Sequence, residues 1–214
     1  MSHPATWSPA QRHTTIRAAL VLLFSAMVAF EVIATEFRPG VYEWPRIVLY
    51  GVMICVTVCR RQATAEDLNL RTQVLTVSHC ILPFFFSASA FWELSDRTGA
   101  FVSGFSALVG LLGLGLAGAG LLSLWDSFGV LPGHRGIKSM GVYSRVRHPI
   151  YAGYLLTAVA WTFGHPSARN VTILISFAGL TVMRLLREER LLSADPVYLQ
   201  YASSTSARLI PGVF

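Results

Sequence analysis

Charge is what this sequence has least of. Only 13% of its 214 residues are Asp, Glu, Lys or Arg, against about 25% in ordinary globular chains. So few charged side chains cannot cover the surface of a soluble domain of this length, which excludes an average soluble enzyme. The remainder is 53% hydrophobic, with a mean hydropathy of +0.53, and this excludes disordered and collagen-like classes. Cysteine is scarce too. Three cysteines cannot form a closed set of disulfides, so a disulfide scaffold is excluded. Cys55 and Cys59 stand one helical turn apart in one apolar run, and Cys80 follows His79 in another. They read as small apolar helix residues rather than as metal ligands, which need fixed geometry. A basic stripe interleaved with aromatics is also missing, so the net charge of +6 does not indicate a nucleic-acid partner.

What the chain has instead is long apolar runs. A helix needs about 20 apolar residues to cross a bilayer, and six candidates occur: Ile16–Thr35, Trp44–Cys59, Val74–Trp92, Ala100–Trp125, Pro149–Gly164 and Val171–Leu186. The expected fold is an all-α, polytopic integral membrane bundle of about six spans, without a Rossmann domain. The second and fifth runs are short. The third contains Pro83, which a bundle tolerates if neighbours satisfy the freed carbonyl. Arg12 and Arg17 ahead of the first run, with small residues near Ala34, resemble a signal peptide, but five further runs of the same character favour a retained helix.

The basic residues sort by side. One side receives Arg12, Arg17, Arg60, Arg61, Arg71, Arg135, Lys138, Arg145, Arg147, Arg184, Arg187, Arg190 and Arg208, leaving Arg38, Arg46, Arg97 and Arg169 for the other. The positive-inside rule then predicts both termini and the 126–148 loop in the cytoplasm.

The fourth run carries Gly113-x-Gly115-x-x-Gly118, which formally matches a dinucleotide fingerprint. It follows no strand and has no acidic residue about 20 positions later. Small residues that let another helix approach closely are the physical reading, with Gly113/Ala117 and Gly115/Ala119 at the required spacing.

The chain divides into a four-span scaffold, 1–125, and a chemically informative region, 126–214. Residues 126–148 form a polar, basic, glycine-punctuated connector, long for its place. Pro149 suits a first helical turn and is expected to restrict His148 to an extended conformation. His148 and Tyr151 are thereby placed at a helix N-terminus, which favours an anionic group. Arg184 and Glu188, four apart, share a helix face near the end of the last run. Ionisable groups at that depth indicate function, and a charged helix end snorkelling to headgroups is the other reading. The aromatic tail, Tyr198-Leu199-Gln200-Tyr201, either lies in the interface or folds back over a site.

Tyr143, then Arg147-His148-Pro149-x-Tyr151-x-Gly153, then Glu188-Glu189-x-x-Leu192, then Tyr198-x-x-Tyr201 and Pro211, in this order, resemble the isoprenylcysteine carboxyl methyltransferase family. Related phospholipid N-methyltransferases share much of the pattern. The match covers about residues 124–214. The resemblance implies an integral-membrane methyltransferase using S-adenosyl-L-methionine (SAM), with the cofactor at the cytoplasmic membrane face and a lipophilic or prenylated acceptor entering between helices. It implies cofactor contacts from Tyr143, His148, Pro149, Ile150, Tyr151 and Glu188. By spacing alone it adds Arg135, Gly136, Ile137 and Lys138. Arg184 matches the arginine that faces the acceptor, so Arg184 and Glu188 are the expected catalytic pair, with no metal.

Three acceptors remain open. A carboxylate is already ionised at pH 7 and needs only an orienting partner such as Arg184. An amine needs a base, for which Glu188 or Glu189 stands, and a thiol needs a depressed pKa from Arg184 and Arg187. The non-enzymatic alternative is a transporter or scaffold. A transporter favours midplane charge and repeated halves, whereas here charge gathers at span ends and no internal repeat is visible.

Overall fold

A computed structural model of the chain describes residues 9–34, 43–67, 69–83, 85–86 and 100–214. Seven α-helices occur among them: α1 Pro9–Ala34, α2 Glu43–Cys59, α3 Leu70–Ile81, α4 Ala100–Leu124, α5 Pro149–Gly164, α6 Ala168–Leu192 and α7 Pro196–Ser204. The helical expectation therefore holds, with one addition. Two short strands, β1 Ala65–Glu66 and β2 Gly133–His134, pair antiparallel with Ala65 opposite His134.

Three segments are long and apolar enough to cross a membrane: His13–Ile33, Phe101–Ser127 and Ala168–Leu192. α2 has 17 residues and α5 has 16, both below the usual span length. The third expected span is described only in part. α3 stops at Ile81, because Pro83 has no N–H with which to continue the ladder. The rest of that run from residue 87, together with Arg38 and Arg97, lies outside the described residues.

The helix starts follow local chemistry. Asn69, Ser167 and Asp195 cap α3, α6 and α7 by accepting hydrogen bonds from the backbone N–H groups of Arg71, Asn170 and Val197. Pro149 and Pro196 occupy first-turn positions of α5 and α7, where the missing N–H costs nothing. His148 sits just outside α5 at φ −130° and ψ 61°.

The closest helix pairing joins α4 to α5. A Cβ on Gly113 would stand 2.7 Å from Gly153 O, and one on Gly153 would stand 2.5 Å from Gly113 O and 2.6 Å from Ala117 N. Ser106 Oγ donates to Ala160 O at 2.6 Å across the same crossing. Of the two small-residue faces expected on α4, the Gly113/Ala117 face makes the crossing. Gly115 has nothing within 4 Å of the place a Cβ would take among the described residues, so there the Gly115/Ala119 face meets no helix.

Phe24, Met27, Leu49, Met53, Val56 and Leu121 pack α1, α2 and α4 into one core, while Trp161, Ile173 and Phe177 bury the α5–α6 side. The 126–148 connector runs over one end of this bundle, turning at Gly136 (φ +96°) and Gly141 (φ +63°), conformations that glycine adopts without strain. The C-terminal tail folds back onto the same end. Arg147 N donates to Ala207 O and His148 N to Arg208 O, both at 2.9 Å, so the interface-lying reading of the tail gives way to the folded-back one.

Candidate functional site

A cavity of about 200 Å³ runs inward from beneath the connector and tail. Its polar end is lined by Arg135, Gly136, Ile137, Lys138, Tyr143, His148, Ile150, Tyr151, Glu188, Tyr198 and Tyr201. Its apolar end is lined by Phe24, Met27, Leu49, Met53, Phe86 and Phe177, and Arg184 lines it too. Every site residue expected from sequence except Pro149 faces this one cavity. Pro149 instead sets the start of α5.

Arg184, on α6, is buried and held by neutral groups. Its Nε donates to the Tyr151 hydroxyl at 2.9 Å, and Nη2 donates to Val130 O. Nη1 lies 3.5 Å from His79 Nδ1. Tyr151 passes its own proton to Glu188 Oε2 at 2.7 Å. The Arg184–Glu188 pair, adjacent on a helix face in sequence, is thus linked through a phenol supplied by α5. Arg184 thus lines the same cavity as Glu188 and is joined to it through Tyr151.

His79 belongs to this site although sequence reasoning left it in the scaffold. Thr181 Oγ1 donates to Phe177 O at 2.8 Å, so it accepts from His79 Nε2 at 3.0 Å, because a hydroxyl has one proton. His79 Nδ1 is then the acceptor that faces Arg184. The imidazole stacks on Phe177 with centroids 4.8 Å apart and meets Tyr151 edge-on at 5.8 Å. Its presence in an apolar run was the available signal, since ionisable groups there are expensive.

Glu189 has a different task from its neighbour. Its carboxylate accepts from Arg147 at 2.9 Å and Arg208 at 2.8 Å, and His148 Nε2 lies 3.2 Å from it. These three partners occupy both oxygens, so Glu189 is a clamp between α5, α6 and the tail rather than a base for an acceptor. His148 lines the cavity, stacks on Tyr151 with ring centroids 5.6 Å apart, and turns its Nε2 to Glu189.

Of the connector residues expected from spacing, Arg135 is buried and paired with Glu66, and its Nε donates to Arg61 O at 3.2 Å. Burial lowers its pKa, with Glu66 and Glu188 acting in the opposite direction. Lys138 stands 4.0 Å from Asp126. Thus the β1 segment of the first half pairs with the connector and holds it in place. Tyr143 is held by Tyr198 and Tyr201 in an aromatic cluster, and the Tyr201 hydroxyl donates to Tyr143 O at 2.7 Å. Burial raises the Tyr143 hydroxyl well above the ordinary phenol range and pushes Tyr201 up to about 12, so both remain neutral at physiological pH.

No group of three or more His, Cys, Asp or Glu side chains that could hold a metal ion occurs among the described residues. No protein-family model matches the chain, and no curated protein matches it in sequence.

Proposed function

We propose that the chain is a membrane-embedded, SAM-dependent methyltransferase acting on the carboxylate of a lipophilic, isoprenylcysteine-like acceptor. One observation carries this reading: a single cavity is lined by tyrosines, Glu188 and connector backbone together with apolar side chains, and Arg184, bridged to Glu188 through Tyr151, lines it too. The donor set fits the cofactor. Glu188 suits the ribose hydroxyls or the ammonium, the tyrosine cluster suits the adenine and the sulfonium, and the start of α5 suits the carboxylate. When bound, SAM supplies an electrophilic methyl group. The chain's own residues have the remaining work. Arg184 orients the acceptor carboxylate, which is already ionised and needs no base. Tyr151 fixes the Arg184 guanidinium and the Glu188 carboxylate in relation to each other. The connector and tail, fastened by Glu66–Arg135 and by Glu189 with Arg147 and Arg208, close the polar end to water. The proposed topology has six spans, with both termini and the site in the cytoplasm.

The test is incubation of membranes containing the protein with methyl-labelled SAM. A base-labile, lipid-extractable label is the expected product. A base-stable lipid label would mean an amine acceptor, a volatile thioether a thiol, and no SAM-dependent label would overturn the reading. Tags on the two termini should both report the cytoplasm.

A further inference from the structure

Arg60 directly follows α2 and is only 2% exposed, yet its Nε, Nη1 and Nη2 are all buried without a hydrogen-bond partner among the described residues. Two further buried nitrogens without partners belong to α1: Arg17 Nε and His13 Nε2. His13 and Arg17 are four apart and share a helix face. The Arg17 Nη2 donates to Arg60 O at 3.1 Å, which brings the two arginines together. Nearby charge does not resolve the cluster. Glu66, the acid that acts on Arg60, is paired with Arg135, and Arg135 adds a further positive charge. Burial, with Arg135 and Arg17, pushes Arg60 down to about 10, so it still carries its charge at neutral pH. The negative end of the α2 dipole offsets part of that charge but takes up none of the guanidinium N–H donors. A buried cation left in this condition is strongly destabilising, and native buried donors are nearly always satisfied.

We propose that His13, Arg17 and Arg60 form a binding site for a phosphate-class oxyanion at the connector end of α1 and α2. The Arg60 guanidinium presents a planar fork of N–H donors that pairs bidentately with phosphate oxygens, and Arg17 Nε and His13 Nε2 add nitrogens for the further oxygens of a tetrahedral oxyanion. His13 and Arg17, both half-buried, bring the site to the flank of α1, where a bilayer headgroup or a dissolved phosphate meets it. Neither Arg17 nor Arg60 lines the proposed methyl-transfer cavity, so this site stands independently of that activity.

The test uses the full chain, delipidated in detergent at constant ionic strength. Thermal unfolding is followed against inorganic phosphate, with chloride as the matched control, and against added phosphatidylglycerol or phosphatidylcholine. A saturable rise with phosphate means that the free oxyanion suffices, and a rise with phosphatidylglycerol alone means a lipid headgroup. Either outcome supports the site. In Arg60→Gln and in the milder Arg17→Gln, the apparent affinity should fall about tenfold or more. Arg60→Met should raise the unfolding temperature of the anion-free protein, because an unpaired buried charge is removed. No response beyond chloride, an undiminished response in both Gln variants, or a lowered anion-free unfolding temperature in Arg60→Met would overturn the proposal.

Discussion

Tyr151 donates its hydroxyl proton to Glu188 at 2.7 Å and accepts one from Arg184 at 2.9 Å. One phenol therefore couples the two charged residues of α6 that the sequence places on a common face. Tyr151→Phe keeps the ring and removes the coupling. Methyl transfer should fall about tenfold to a hundredfold, the range expected for losing hydrogen bonds to charged groups, while the folded protein keeps its unfolding temperature within a few degrees. Activity and thermal unfolding of the same preparation check this.

Glu188 and Glu189 are neighbours with separate partners, so their variants should separate. Glu188→Ala should weaken SAM binding about tenfold or more. Glu189→Gln should leave two arginines of the clamp underpaired and act mainly on the tail, seen as faster hydrogen exchange over residues 206–210. Calorimetric SAM titration and exchange mass spectrometry measure the two effects. Equal loss of cofactor affinity in both variants would remove the distinction.

Arg184 faces the acceptor in the proposed reading, so Arg184→Lys should keep charge but lose the planar fork that holds Tyr151 and Val130. Turnover should drop at least about tenfold, with SAM affinity changed little. A lysine variant of full activity would sink the orienting role.

Gly153→Ala should destabilise the fold without touching the site. The added methyl would meet backbone, Gly113 O at 2.5 Å and Ala117 N at 2.6 Å, and backbone cannot swing aside as a side chain can. The expected cost is about 1–3 kcal/mol, whereas Gly115→Ala, with open space at its Cβ, should be nearly neutral. Unfolding in detergent compares the pair.

Asp195 fixes the start of α7 to the connector by accepting from Val197 N, with His134 Nε2 2.6 Å from its carboxylate. The Val197 N–H and then the His134 contact lower its pKa. A lowered carboxylate contributes stability above its unfolded value, near 3.9, and loses it as pH falls through the folded value. Proteolysis within 193–204 should therefore accelerate below about pH 4. Asp195→Asn should cut faster at pH 7 and lose most of that pH dependence.

Much of the fold was legible because helical order is local. The positions of α1, α4 and α6 and the start of α5 at Pro149 follow from residues within a few positions of each other, whereas α1 and α6 extend beyond their apolar runs. The cavity's polar lining was legible for a related reason, since Tyr143, His148, Tyr151 and Glu188 fall in short, ordered motifs. His79 was not, because its partners Thr181 and Arg184 lie more than 100 residues away. Local pattern shows only that such a group is costly in an apolar run, not what stabilises it.

By itself the sequence determined that the chain is helical and rich in membrane-length apolar runs, and that its scarce charge gathers beside the connector and tail. Apolar periodicity and side-chain chemistry act over a few residues, so they are written in the order of the letters. Only the tertiary structure decided that β1 closes over β2, that Glu189 clamps the tail while Glu188 faces the cavity, and that Tyr151 stands between Arg184 and Glu188. Those choices depend on how closely α4 and α5 approach at Gly113 and Gly153, and on ion pairs such as Arg135 with Glu66 that form across the folded bundle.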